Sequence, residues 1–302
     1  MEDPTPNDMR FWEQAKKKAE EEKASNTYTK PTFDGVNLHQ KFDHERFRLA
    51  QLPISSKLWL YLTIVGKITF FIMTPLYALV SLGMHIASRS SDIKYGFFEL
   101  FMSGFWPFTF LPLFCWGVGH TVISYFPKVW FRPPKGPLWE LNRRTGLVTV
   151  FDYKNFKKTG VIGEHIAPFY EFDAYLVTTP DRQGLPMIGL FLIHRYRDIR
   201  INFNSLITPD NTEQKPCALW DFFQNFMDVS RPLPDLPLYE PHRHLDPVSA
   251  EADRASGRQP RYWIDMDDET FKTKVKEMLG RIDAIDTLSR PNLMAQHVDY
   301  SD

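Results

Sequence analysis

One long apolar run, interrupted once, decides the fold. It reads LWLYLTIVGKITFFIMTPLYALVSLGMHIA (58–87), then SRSSDIK (88–94), then YGFFELFMSGFWPFTFLPLFCWGVGHTVISYF (95–126). Residues 68–84 and 100–126 contain no charged side chain. A helix needs about 20 mostly apolar residues to cross the hydrocarbon core of a bilayer. The run therefore predicts two membrane-spanning helices that form a hairpin.

Basic residues on both sides of the hairpin predict its orientation. Four precede it, five follow it and two lie in the link: Lys41, Arg46, Arg48 and Lys57; Lys128, Arg132, Lys135, Arg143 and Arg144; Arg89 and Lys94. Positively charged flanks remain in the cytoplasm, so both termini are expected there. Two buried core helices of a soluble protein are the alternative, which is disfavoured because core helices rarely stay apolar on every face over such a length.

Composition narrows the function classes. The chain has 302 residues and a formal net charge of -1, whereas a protein that binds nucleic acid needs a basic face. Its two cysteines, Cys115 and Cys217, make neither a disulfide framework nor a zinc pattern. No cleavable signal peptide is expected, since residues 1–25 are charged and lack an apolar stretch.

The sequence after the hairpin predicts an antiparallel sheet. Strand-like runs bounded by turn residues occur at 138–142, 147–151, 161–166, 172–178, 187–196 and 199–204. The fifth run is apolar and should be central, while the sixth alternates and should be half-buried. A helix at about 214–229 follows, with a stripe formed by Leu219, Phe222, Phe223 and Phe226. A meander closed by one helix is the pattern of a pleckstrin-homology-like domain, and a generic α+β sheet with one covering helix is the alternative.

The predicted fold class is thus a membrane protein of α+β type with five segments. They are an N-terminal cytoplasmic arm (1–57), the transmembrane hairpin (58–126), the pleckstrin-homology-like domain (127–230), a proline-rich linker (231–266) and a C-terminal helix with its tail (267–302). In the arm, a short helix is expected at 7–24, either solvated or bound to a partner or membrane surface, and a loop-rich connector at 25–53.

Two surfaces are candidate partner-binding sites. The first is a face of small residues in the second apolar helix, where helices approach closely, together with a histidine that is either functional or merely interfacial: Gly104, Gly117, Gly119 and His120. The second is the apolar stripe of the C-terminal helix, which packs either on its own domain or on a partner: Phe271, Val275, Met278 and Ile282.

A basic cluster on the first turns of the sheet is a candidate for contact with anionic lipid headgroups. Its members are Arg143, Arg144, Lys154, Lys157 and Lys158. The alternative is that these residues are ordinary charges near the membrane.

The sequence contains no recognisable catalytic arrangement. It has neither a phosphate-binding glycine loop nor a nucleophile elbow. Glu240, His242, His244 and Asp246 are the densest group of potential metal ligands, but two histidines at i, i+2 on an extended segment do not define a site. We therefore expect no enzymatic activity, no cofactor and no metal.

The segment LWELNRRTGLVTVFD (138–152), followed by GVIGEHIAPFYEFDAYLV (160–177), is similar to the start of pleckstrin-like domains in a family of bacterial two-span membrane proteins. The chain departs from that pattern at residues 169–171, where Phe-Tyr-Glu stands in place of a frequent tryptophan. The resemblance covers residues 58–229. Some genes of this family are thought to lie beside type VI secretion effectors, which implies an immunity role.

The resemblance implies a bacterial inner-membrane immunity protein. Its expected partners are the lipid bilayer and a membrane-acting effector, such as a pore-former, which it would bind and neutralise. The alternative is a membrane-anchored scaffold or lipid-sensing protein that has no toxin partner.

Overall fold

Two long apolar helical stretches and a separate polar unit make up the chain. The computed structural model describes residues 3–28, 38–87, 93–126, 134–181, 183–207 and 209–289. The apolar unit comprises residues 30–38 and 51–135, and the polar unit comprises 1–29, 39–50 and 136–302.

The described residues form eight α-helices and eight strands. The helices are α1 (Pro6–Ala24), α2 (Ile54–Ala87), α3 (Ile93–Phe105), α4 (Leu111–Tyr125), α5 (Phe156–Thr159), α6 (Gln214–Met227), α7 (Pro247–Ser256) and α8 (Asp268–Asp283). The strands are β1 (Lys41–Phe42), β2 (Arg46–Leu49), β3 (Trp139–Asn142), β4 (Leu147–Asp152), β5 (Gly163–Pro168), β6 (Phe172–Pro180), β7 (Pro186–His194) and β8 (Arg200–Asn202).

The apolar unit is a pair of helical stretches, one formed by α2 and the other by α3, a π-helical turn at Trp106–Phe110, and α4. Helix α2 packs against both α3 and α4. Both stretches are long and apolar enough to cross a membrane. The prediction of two long apolar helices is therefore confirmed, with the first helix beginning at Ile54 rather than at residue 58.

Proline interrupts the second stretch, and a side chain of the neighbouring helix compensates. Pro112 has no N–H, so the carbonyl of Phe108 lacks its usual helical donor. The hydroxyl of Thr74 in α2 donates a hydrogen bond to this carbonyl at 3.3 Å. The π-helical turn lies at the same place, as expected where the hydrogen-bond ladder of a helix is disturbed.

The polar unit contains two antiparallel sheets. The strand orders are β1–β2–β3–β4–β5 and β6–β7–β8. All six predicted strands are present as β3 to β8. Strand β7 is central in its sheet, and β8 alternates about the buried Ile201, both as the sequence predicts.

Two further strands come from before the apolar helices. Strand β2 pairs with β3, so that Arg46 lies opposite Asn142 and Leu49 lies opposite Trp139. The prediction of a loop-rich connector over 25–53 is therefore wrong at β1 and β2, and residues 1–57 are not a separate arm. Strands of two and four residues are too short to show a convincing alternation.

One apolar core joins both sheets to α6. Its buried members include Phe47, Trp139, Leu141, Val148, Phe172, Leu192, Phe203, Phe223 and Phe226. The rings of Trp139 and Phe203 meet edge to face with centroids 4.8 Å apart, a favourable aromatic geometry. The predicted stripe of α6 is thus confirmed as its core-facing side.

Residues 231–266 are folded, so the prediction of an irregular linker is wrong. They form a 3₁₀ helix at Pro237–Leu245 and then α7. Asp246 caps α7, because its carboxylate accepts a hydrogen bond from the N–H of Ser249 at 2.9 Å. Pro247 occupies the first turn, where its missing N–H costs nothing. The prolines therefore begin helices here rather than prevent them.

A second small core joins the two ends of the polar unit. Its buried members are Met9, Trp263, Ile264, Met266 and Phe271. The first turn of α1 therefore packs on the polar unit through Met9, whereas Phe11 and Trp12 are exposed. The interpretation of α1 as a fully solvated helix is therefore wrong for its first turn.

Candidate functional site

An open apolar cleft lies in the polar unit between α6, α8 and residues 234–238. Its volume is about 570 Å³. The apolar side chains that line it include Leu206, Leu219, Phe222, Leu236, Leu238, Leu279 and Ile282. Leu279 is 54% exposed, so part of this apolar surface faces solvent. Concave apolar surfaces of this size are typical of binding sites.

The apolar stripe of α8 contacts two different parts of the polar unit, the small core and the cleft. Phe271 is buried in the small core, and Val275 and Met278 pack against the same core. One turn further on, Ile282 lines the cleft instead. Packing on its own domain is therefore confirmed for α8, and the prediction that Phe271 binds a partner is wrong because it is buried. Ile282, which lines the cleft, remains available to a partner.

Polar groups surround the apolar floor of the cleft. Asp3, Lys215, Asp235 and Asp283 belong to its lining. Burial raises the pKa of Asp3, opposed by a backbone hydrogen bond with Leu238. Lys215 forms an ion pair with Asp210. A mostly apolar floor with a few charges suits an apolar segment that carries polar ends.

The small residues predicted to form one face of the second apolar helix point to different surroundings. A Cβ added at Gly104 would collide with the ring of Tyr77, and one added at Gly119 would lie 2.8 Å from the backbone nitrogen of Thr63. Both glycines therefore let α2 approach closely, and their assignment to a partner site is wrong. Gly117 has open space beside it.

His120 is exposed on the same helix as Gly117. Its Nδ1 atom lies 3.5 Å from the hydroxyl oxygen of Ser124, one turn later. Gly117 and His120 are three positions apart, so they share one side of α4. Of the predicted residues in this helix, these two remain available to a partner.

The predicted basic cluster does not form one surface. Arg143 is buried, so its assignment to the membrane surface is wrong. Arg144 is exposed and lies 3.5 Å from a carboxylate oxygen of Glu45. Lys154 and Lys158 are exposed, and the side chain of Lys157 lies outside the described part of the structure.

Arg143 instead binds the C-terminal end of α6. Its guanidinium donates hydrogen bonds to the carbonyl oxygens of Asp228 at 2.9 Å and Arg231 at 2.6 Å, and also to that of Phe226. Asp246 lies 3.7 Å away. Burial lowers the pKa of Arg143, while its acidic neighbours raise it. The cation occupies the negative end of the helix, where it is favourable.

The residues considered as metal ligands serve other purposes. Glu240 forms an ion pair with Arg258 at 2.6 Å, and Asp246 caps α7. The ring of His242 stacks on that of His44 with centroids 6.2 Å apart, and burial lowers the pKa of His242. Over the described ranges, no group of three or more His, Cys, Asp or Glu side chains is arranged to hold a metal ion.

A buried histidine at the end of β7 escaped the sequence analysis. His194 Nε2 lies 2.7 Å from the carboxylate of Glu171, and Nδ1 accepts hydrogen bonds from the backbone N–H groups of Tyr196 and Arg197. Because Nδ1 accepts both of these bonds, the tautomer assigned here has its proton on Nε2, which donates a hydrogen bond to Glu171. The guanidinium of Arg197 also lies 3.2 Å from Nε2. The arrangement fixes the β7–β8 turn, and the signal for it was a polar residue at the end of an apolar run.

The fold and site together define a class, namely an α+β chain that joins two long apolar helices to a polar unit with an apolar cleft. Comparison with protein-family models, with curated proteins and with solved structures finds no match.

Proposed function

We propose that the apolar unit spans a membrane twice. Only 11% of the most apolar 18-residue window in α2 is buried, and 17% of the corresponding window in the second stretch. Large side chains such as Phe71, Leu79 and Phe114 are exposed. Soluble monomeric proteins rarely expose contiguous apolar patches larger than a few hundred Å². A bilayer would remove these exposed apolar side chains from water.

The pairing of β2 with β3 supports an even number of crossings. The stretch 39–50 of the polar unit ends at Ala50, and the chain enters this unit again at Gly136. The N–H of Leu138 donates to the carbonyl of Leu49 at 2.7 Å, so the chain returns to the place that it left. A chain that leaves and returns on one side of a membrane crosses it an even number of times. With the basic flanks inside, we place the polar unit and both termini in the cytoplasm, at a bacterial inner membrane.

The polar unit is proposed to be a pleckstrin-homology-like binding domain. Its antiparallel strands follow one another in sequence order within each sheet, and α6 closes the core, which supports this proposal. The chain departs from the simple pattern in two ways. Strands β1 and β2 precede the apolar helices, and α7 and α8 follow the closing helix.

The function that we propose is that of an immunity protein, which binds a membrane-acting effector and prevents it from inserting or assembling. The observation that supports it best is that exposed apolar helices and an open apolar cleft occur in one chain, because such an effector itself carries apolar segments. The lipid-sensing alternative has less support, since Arg143 is committed to α6 and Arg144 lies beside Glu45.

Affinity purification from detergent-solubilised membranes tests this function. We expect one large effector to co-purify in stoichiometric amount, to be toxic when expressed alone and to be neutralised on co-expression. The variant Ile282→Asp should weaken both capture and protection, because it places a charge in the cleft. Leu288→Asp is the matched control, because Leu288 is 92% exposed.

Two results would contradict the proposal. Recovery of the protein alone, or with housekeeping membrane proteins, would favour a scaffold. Equal protection by the Ile282→Asp and Leu288→Asp variants would remove the cleft from the binding site. Membrane insertion is tested separately, by extraction at alkaline pH and by reporters inserted into residues 88–92, which should report the side opposite to both termini.

A further inference from the structure

Strand β6 is an open edge of the three-stranded sheet. It pairs with β7 along its whole length, from Phe172 opposite His194 to Pro180 opposite Pro186, without a bulge. Within the described ranges, no strand pairs with its other side. Tyr175 and Leu176, in the middle of the strand, are 48% and 41% exposed. An unpaired edge is a template for another strand.

The hydrogen bonds of β7 show which backbone groups of β6 point outward. In an antiparallel sheet, the N–H and C=O of one residue point towards the same neighbouring strand. The carbonyl of Leu190 accepts from Phe203, so the backbone groups of Leu190 point away from β6. Leu176 lies opposite Leu190. Its N–H and C=O therefore point away from β7, to the open side.

The same alternation applies two residues away in each direction. The N–H of Ile188, opposite Thr178, donates to Asp210 and so points away from β6. By the same period of two, Ala174 also points its backbone groups outward. No hydrogen bond among the described residues uses the N–H or C=O groups of Ala174, Leu176 or Thr178 on this side.

We propose that β6 pairs antiparallel with β6 of a second copy of this chain, about a two-fold axis at Leu176. Leu176 then faces the partner's Leu176, and Ala174 faces the partner's Thr178. These residues form hydrogen-bonded pairs, each of which exchanges two bonds, so the outward groups of Ala174, Leu176 and Thr178 are all satisfied. The dimer involves only the polar unit and does not depend on the proposed function.

Other registers satisfy fewer groups. A slip in one direction brings in Phe172, whose N–H already donates to the carbonyl of Phe169. A slip in the other direction brings in Pro180, which has no N–H to donate. The register centred on Leu176 is therefore preferred.

The side chains of β6 also suit a second copy. Residues 174–180 carry no charge, so pairing brings no like charges together. Asp173 is occupied by Arg195, at 2.6 Å. Tyr175 would face the partner's Val177, which is an aromatic and β-branched pair of the kind that stabilises sheets. Edge strands that avoid association usually contain charged side chains, especially lysine, a proline or a bulge. Strand β6 has neither a lysine nor a bulge, its one charge is the paired Asp173, and its proline is the last residue.

Disulfide trapping tests the pairing and its register. Two differently tagged full-length chains are co-expressed with Cys115 and Cys217 replaced by alanine, one carrying Tyr175→Cys and the other Val177→Cys. Directly opposed residues have Cβ atoms about 4.5–5.5 Å apart, and diagonal ones about 7–8 Å, so mild oxidation should give mainly the mixed disulfide. Predominance of either homodisulfide would refute the register, and absence of all disulfides would refute the dimer.

A backbone substitution gives a second, independent test. Because the N–H of Leu176 points outward, Leu176→Pro removes no hydrogen bond to β7 but blocks the new ladder. We expect wild type and Leu176→Ala to be dimers by light scattering in detergent, and Leu176→Pro to be a monomer with little change in melting temperature. Val177→Pro, which removes a bond to β7, should lower the melting temperature.

Two outcomes of the second test would overturn the proposal. One is a monomeric wild-type protein. If, in addition, Leu176→Pro abolishes capture of a different protein, the open edge of β6 binds a strand of that protein instead. The other is a Leu176→Pro variant that remains a dimer.

Discussion

Replacement of Arg143 is the sharpest test of how the polar unit holds together. The guanidinium is almost fully buried, with a side-chain exposure of 2%. It joins the turn after β3 to the end of α6 through the carbonyl groups of Phe226, Asp228 and Arg231. Arg143→Ala removes every one of these donors and leaves the acceptors inside the protein.

The expected loss follows from those contacts. A buried polar group left without a partner costs about 1–3 kcal/mol, and removal of one partner from a buried charged arrangement costs about 3–5 kcal/mol. Asp246, 3.7 Å away, also loses its cation. We therefore expect Arg143→Ala to lower the free energy of unfolding by about 4 kcal/mol, a large share of the roughly 5–15 kcal/mol of a typical domain.

Denaturant titration of the full-length protein in detergent measures this loss. Amide hydrogen exchange locates it, because protection should fall first in residues 225–231. Arg143→Lys should retain part of the stability, since an ammonium group cannot reproduce the planar set of donors. Arg144→Ala is the matched control, with a side chain 79% exposed, and should change stability by less than about 0.5 kcal/mol. Equal effects of the two alanine variants would refute the structural role of Arg143.

Three further predictions concern other parts of the molecule. Gly119→Leu should destabilise the apolar unit by about 1–3 kcal/mol in thermal denaturation, because it crowds α2, whereas Gly117→Leu should have little effect; the reverse order would contradict the packing. Hydrogen bonds from Lys215 and Thr212 lower the pKa of Asp210 to about 2 from 3.8, so its stabilisation is complete above about pH 4 and is lost as the pH falls through 2. The stability difference between wild type and Asp210→Asn should therefore be at most about 1 kcal/mol after solvent screening and should shrink on titration from pH 5 to pH 2; a constant difference would contradict it. Met9→Asp should expose α1 to limited proteolysis, whereas Phe11→Asp should not, since Phe11 is 66% exposed; equal cleavage would contradict the docking of α1.

The parts of the fold that sequence could predict are those specified by local periodicity. The apolar helices were evident because charge is absent from two long windows. Strands β3 to β8 were evident because runs of apolar and β-branched residues are separated by turn residues. The stripe of α6 was equally local, since Phe223 and Phe226 are close along one helix face.

Long-range pairing could not be predicted in the same way. Arg143 and Arg144 are identical neighbours in sequence, yet one is buried and the other is exposed. Only the position of α6 in space distinguishes them. Strand β2 likewise depends on a partner about ninety residues away, and contacts of that separation leave no local pattern.

Some missed features did have a local signal. Asp246 caps helix α7, Pro247 is its first residue, and Gly257, with a φ of 66°, follows its last residue. Those are the usual start and stop residues of a helix. The surrounding prolines obscure this signal, because proline-rich sequence is also typical of extended linkers. For the cleft there was no such signal, since Leu219 and Leu279 are brought together only by the packing of α6 and α8.

Because β2 pairs with β3, the apolar residues 51–135 are inserted between two neighbouring strands of one sheet. Leu49 and Leu138 are hydrogen-bonded neighbours at 2.7 Å, so a short turn can replace residues 51–135, as in an ordinary β-hairpin. The shortened chain should be soluble and keep the polar unit folded, with the same hydrogen-exchange protection in β3 and β4. A shortened chain that aggregates or lacks this protection would show that the sheet needs the apolar helices, and would contradict the independence of the two units.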